Sequence, residues 1–183
     1  MLAPAFNFLV FQAGWLGVVV SAAEGAASRA TAVALMVLAL HLARSSHPRQ
    51  ELLLALAAGA LGFFLDSLLT MAGLMRFASG QISHMLAPHW IVALWMMFAT
   101  TLNVGLRWLK GRTGLATLLG AVFGPLAYLA GARMGAVQFP QPVWPTLLGI
   151  CTVWAAAMPL LMRLAAKFEA PHPTAASPEA HTR

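Results

Sequence analysis

Residues 52–74 read LLLALAAGALGFFLDSLLTMAGL, and this stretch decides the fold class. At about 1.5 Å of rise per residue, some 20 apolar residues cross the roughly 30 Å hydrocarbon core of a bilayer. The run has that length and has no polar face of the kind that a soluble surface helix turns to water. One acid interrupts it, Asp66, followed by Ser67 and one turn later by Thr70. A carboxylate at membrane depth costs about 2.5–3.5 kcal/mol on insertion scales, so it marks either a functional site or a buried pair.

Outward from this run, five more segments qualify as spans: 6–23, 26–43, 90–109, 115–135 and 143–164. The sequence therefore predicts an all-α polytopic membrane protein, a bundle of six transmembrane helices within residues 1–168. A Pro-, Ala-, Ser- and Thr-rich tail, 169–183, has little to bury and is expected to be a disordered cytoplasmic extension. Composition agrees. Sixty per cent of the residues are hydrophobic and 9% are charged, against the quarter or so that a soluble surface needs. The first apolar stretch lacks a preceding Lys or Arg and is broken by Asn7 and Gln12, so it reads as a retained span. The second is the weakest, with Arg29 near its start.

The net charge of +6 would suggest nucleic acid in a soluble chain. Here the cations fall mostly between or after the apolar runs and no basic cluster interleaves with aromatics, which argues against it. Cys151, the single cysteine, excludes an intramolecular disulfide. No phosphate loop, Ser/His/Asp signature or metal-binding spacing is present, and no cofactor is expected. His84 and His89 lack a third ligand nearby.

Charge sets the orientation. With six spans, Arg44, Arg49, Arg107, Lys110, Arg112, Arg163, Lys167 and Arg183 share one side, and Arg29, Arg76 and Arg133 the other. The positive-inside rule places the first group, and both termini, in the cytoplasm. Trp15, Trp90, Trp108 and Trp144 lie towards span ends, as interfacial anchors do. Residues 76–89 form the one connection long enough for a surface helix of its own. In the fifth span, Gly120-x-x-x-Gly124 and Gly131-x-x-x-Gly135 permit close helix approach, and Pro125 is expected to kink it.

Helical rise then gives depth. Asp66 lies roughly 22 Å from the cytoplasmic face, Tyr128 roughly 20 Å and Arg133 about 27 Å. The three are expected to meet in the outer half of the bundle, as an acid/base centre (Asp66), a hydrogen-bond donor (Tyr128) and an anion clamp (Arg133), or as structural glue. Ser67 and Thr70 stand beside them. Nearer the cytoplasm, Thr100, Asn103 and Arg107 recur at i, i+3 and i+7 as one helical stripe, with Gln12 at a similar depth. These six, Gln12, Ser67, Thr70, Thr100, Asn103 and Arg107, are the candidate substrate-binding residues.

Several of these residues sit in segments that carry a resemblance. Phe11-Gln12 with Trp15, Leu65-Asp66-Ser67, Phe98-Ala99-Thr100-Thr101-Leu102-Asn103 with Leu106-Arg107-Trp108, and Gly124-Pro125-Leu126-Ala127-Tyr128 followed by Ala130-Gly131-Ala132-Arg133 and Gly135-Ala136 are similar to recurring segments of a bacterial inner-membrane family, domain of unknown function 2878. The resemblance spans nearly the whole chain except the tail. It implies a multi-pass inner-membrane protein and brings no activity, catalytic residue or cofactor with it.

Three functional readings stand at this point: a protein that binds or modifies a lipid or other amphipathic small molecule in a polar intramembrane pocket, a small transporter with Asp66 as its coupling site, and a non-catalytic subunit or scaffold whose polar residues fasten helices. Membrane lipids are the expected partners, with a membrane-protein partner or a homodimer left open.

Overall fold

The computed structural model describes residues 4–169, and the expected disordered tail, Glu169 apart, lies outside the described residues. The chain folds into six helices: α1 (Pro4–Ala23), α2 (Ala27–Arg44), α3 (Pro48–Met71), α4 (His89–Leu102), α5 (Thr113–Arg133) and α6 (Trp144–Phe168). Five of them, all but α4, are long and apolar enough to cross a membrane. Two dipeptides, β1 (Arg76–Phe77) and β2 (Val137–Gln138), pair antiparallel with Arg76 opposite Gln138.

Local sequence sets these boundaries. Pro48 opens α3, where its missing N–H costs nothing, and Glu51 in the first turn faces the positive end of the helix dipole. At the other end of the bundle, α1, α3 and α5 stop in the same way. In α5, the Ala136 N–H bonds Gly131 O at 3.0 Å and the Gly135 N–H bonds Ala132 O at 3.1 Å, with Gly135 at φ +92°. This is a Schellman cap, and the left-handed residue it needs is glycine. Gly25 and Gly73 take the same role after α1 and α3. Gly135 thus ends a helix and is not half of a packing motif.

These three caps share what we call the far end of the bundle. The near end carries the start of α1, the α2–α3 and α4–α5 connections and the end of α6. The helices surround α4, which packs on α1, α2, α3 and α6. Around it, α1 rests on α2, α3 on α6, and α6 on α5. Gly120 and Gly124 make the last contact close, since a Cβ at Gly120 would sit 2.2 Å from Trp154 O and one at Gly124 2.3 Å from Trp154 Cγ. The ring is not closed between α5 and α1, which approach only at the far end, where a Cβ at Gly131 would lie 3.9 Å from Val19.

Three expectations change. The helix expected over 90–109 ends at Leu102, so α4 has 14 residues and a length of about 21 Å. The Thr100 and Thr101 hydroxyls donate back to Met97 O and Phe98 O at 2.7 Å each. The Leu106 N–H then closes on Thr101 O at 2.8 Å, ahead of a short 3-10 turn over Arg107–Leu109. Hydroxyls that bind the helix's own carbonyls, followed by Gly105, favour a stop there. Residues 76–88 form no helix. They hold β1 and an ordered loop tied to the bundle through Ser79 Oγ to Ala22 O and the Ala87 N–H to Ser67 Oγ, both 3.0 Å. Trp90, expected at an interface, is buried at 2% exposure and donates to Ser79 O.

Candidate functional site

Asp66 is fully buried on α3, and two donors reach it from two other helices. Tyr128 Oη of α5 donates to the carboxyl group, 2.7 Å from both oxygens. Trp95 Nε1 of α4 donates to Oδ2 at 2.8 Å. A carboxylate has about four acceptor positions, and donors brought by the protein replace the water lost on burial. The Trp95 indole lies so close to α3 that a Cβ at Gly62 would stand 2.1 Å from its Cγ. Its other face stacks on Trp154 of α6, ring centres 4.5 Å apart and 21° from parallel. Four helices therefore meet at one carboxyl group and two indoles.

The depths of Asp66 and Tyr128 agree with this contact, but Arg133 does not join it. Arg133 is exposed at the last turn of α5, and among the described residues no ion pair links it to Asp66. Five residues along a helix turn a side chain by about 140°, so Arg133 points away from the face that carries Tyr128.

The remaining candidates divide. Ser67 accepts the Ala87 N–H, Thr70 donates to Asp66 O at 2.8 Å, and Thr100 donates to Met97 O, all buried backbone ties. Asn103 leaves the expected stripe because the helix has ended. It donates to Glu51 Oε1 at 2.9 Å, while Glu51 Oε2 stands 3.2 Å from His41 Nε2. Arg107 pairs with Glu169 at 3.1 Å, and Lys110 reaches the same carboxyl at 2.8 Å. These bonds fasten α2, α3, α4 and the end of α6 at the near end of the bundle.

Gln12 has a different setting. It lines a cavity of about 730 Å³ in the gap between α1 and α5, floored by α4 and α6. On α1 the residues at 4, 8, 11, 15 and 19, one helical face, border it; on α5 Gly120, Phe123, Gly124, Ala127, Tyr128 and Gly131 do. Trp95, Phe98 and Trp154 make the floor, Phe77 and Val137 lie at the far end, and Leu106 and Trp108 at the near end. The expected pocket was polar. This one is an aromatic and aliphatic groove whose lining contains no Asp, Glu, Lys, Arg or His. Asp66 is sealed behind Trp95 and Tyr128, which present their rings to the groove while their polar atoms bind the carboxyl group.

Sequence reasoning passed over Trp95 and Trp154, whose indoles look apolar in a pattern, and Glu51, which lies at a span edge. The spacing of Phe8, Phe11 and Trp15 was an available sign of the α1 wall. Among the described residues no cluster of His, Cys, Asp or Glu is placed to hold a metal ion.

A family model matches residues 4–160, from the first turn of α1 into α6. The chain belongs to the family described as Protein of unknown function (DUF2878). The DUF2878 match includes every groove-lining residue and the whole Asp66 cluster. No curated protein and no solved structure matches the chain. Family membership and five apolar helices together fit an integral membrane protein of unknown function.

Proposed function

We propose that this chain is a multi-pass protein of the bacterial inner membrane that holds a lipid, or another amphipathic small molecule, by its hydrocarbon part in the groove between α1 and α5. The carrying observation is the groove: about 730 Å³ of space, walled by aromatic rings, in a ring of helices left open on one side. The gap narrows at its far end, where Gly131 comes near Val19, so a hydrocarbon chain suits the space better than a helix running the length of the bundle. The large apolar side chains exposed around the bundle, such as Leu9, Met36, Phe64, Phe123 and Leu148, suit lipid as solvent.

In this reading α4 and its ordered flanks complete a sixth crossing. The hydrogen bonds that hold residues 79–88 and 103–106 to the bundle support it, because non-helical backbone at membrane depth is tolerated where protein satisfies it. The near end, with seven of the ten cations among the described residues, faces the cytoplasm. Asp66 acts as a fastener of the groove wall. Its complete burial favours that role over proton coupling or acid/base chemistry, either of which needs an access path.

Native mass spectrometry of the full chain, released from a mild detergent, tests the reading. The protein should carry a lipid-sized adduct. Ala127→Trp, which puts an indole into the groove from α5, should lower adduct occupancy about tenfold or more while the protein stays monodisperse. Equal occupancy in both proteins would place the lipid elsewhere and defeat the proposal.

A further inference from the structure

The groove is apolar along most of its length, but two amides on α1 stand in it. Gln12 is exposed, lines the cavity and has no hydrogen-bond partner among the described residues. It lies eight residues into α1, about 12 Å from the start of the helix, where a bare amide in hydrocarbon costs several kcal/mol on alkane scales. Asn7 is 3% exposed, also lines the cavity, and is half satisfied. Its Nδ2 donates to Thr100 O at 3.2 Å, whereas its Oδ1 takes no hydrogen bond among the described residues. The amide cannot simply be reversed, because that would set two oxygens against each other at Thr100. A Cβ at Gly105 would come within 3.3 Å of that Oδ1, so the turn after α4 leaves the position without a side chain.

No charged residue offers itself to a ligand here. The lining holds none, and of the three cations in the α4–α5 connection, Arg107 and Lys110 are turned to Glu169 while Arg112 is exposed and does not border the cavity. A phosphate or carboxylate head group would enter without a counter-charge, at a desolvation cost that no contact offsets. A hydroxyl group, by contrast, can donate to an amide oxygen and accept from an amide N–H.

From this arrangement we infer that the near-end part of the groove selects an uncharged, hydroxyl-bearing amphiphile with a single hydrocarbon chain, recognised by the Gln12 and Asn7 amides. The inference rests on the groove reading above and narrows it to a class of ligand. The hydrocarbon chain lies between Trp15, Phe123 and Tyr128, and the hydroxyl end meets the amides of α1.

The test uses the full chain in phosphatidylcholine vesicles and the fluorescence of its own tryptophans, five of which, Trp15, Trp90, Trp95, Trp108 and Trp154, line the groove. The probes are a chain-brominated monoacylglycerol and the lysophosphatidate of the same chain, which differ by the phosphate alone. The glyceride should reach half-maximal quenching at a mole fraction about tenfold lower than the lysophosphatidate, the effect of one or two well-made hydrogen bonds. Gln12→Leu, an exposed position whose change leaves the packing intact, should erase that preference. Asn7→Leu should do the same, and Gln12→Leu carries the conclusion if it fails to fold. Saturable quenching of equal strength by both probes, or a preference that survives Gln12→Leu, overturns the head-group assignment and leaves the groove reading standing. Absence of saturable quenching by either probe overturns both.

Discussion

A buried carboxyl group can be held by charge or by neutral donors, and Asp66 takes the second course. The choice has a measurable signature. Tyr128→Phe removes one bond from Asp66, and Asp66→Asn keeps the side chain's size while changing what it can accept. Each should cost about 1–2 kcal/mol of stability in detergent, within the range for buried and interhelical bonds. Residues that act through one shared bond are not additive, so the double variant should cost clearly less than the sum of the two. Thermal or denaturant unfolding of the four proteins checks this. Arg133→Gln, in contrast, should change stability little, as for exposed positions in general. Axial depth, read from helical rise, brought Asp66 and Tyr128 together correctly. It misplaced Arg133 because rise says nothing about the direction in which a side chain leaves the helix. The pairing with Trp95 was illegible for another reason: an indole counts as apolar in any hydropathy pattern, although it carries a donor.

At the scale of the element, most helices follow directly from apolar runs, proline starts and glycine caps. The exception is α4, whose residues after Leu102 continue the apolar composition but not the helix. The deciding contacts are local hydroxyl-to-carbonyl bonds and the tie of Asn103 to Glu51, and only the last depends on other helices. Helix contacts here turn on absent side chains. Gly62→Ala would thrust a Cβ to 2.1 Å from Trp95 Cγ, forcing the indole off Asp66. We expect a loss of about 1–3 kcal/mol from overpacking, with a further loss from the orphaned acceptor. Gly114→Ala, where an added Cβ meets nothing within 4 Å, should be neutral or raise stability by up to ~1 kcal/mol through helix propensity. Melting temperatures of the two single variants separate these outcomes.

On the scale of the molecule, the notable feature is a contact that is not made. Five helices ring α4, yet α5 and α1 leave a gap lined by aromatic side chains. No local pattern in the sequence announces such a gap, because each wall looks like an ordinary buried or lipid-facing stripe until the other is placed beside it. The Asp66 cluster, Gly62 and the stacked indoles keep the floor and one wall in position, so the polar residues that drew attention in the sequence serve the groove from behind. The central claim is that this space is occupied by a hydrocarbon chain. A crystal structure of the full chain grown from a lipid mesophase tests it most directly. The account predicts α1 and α5 apart, with elongated density between Phe8 and Trp15 on one side and Phe123 and Tyr128 on the other. Direct packing of α1 on α5 along their length, with no space between them, would contradict it.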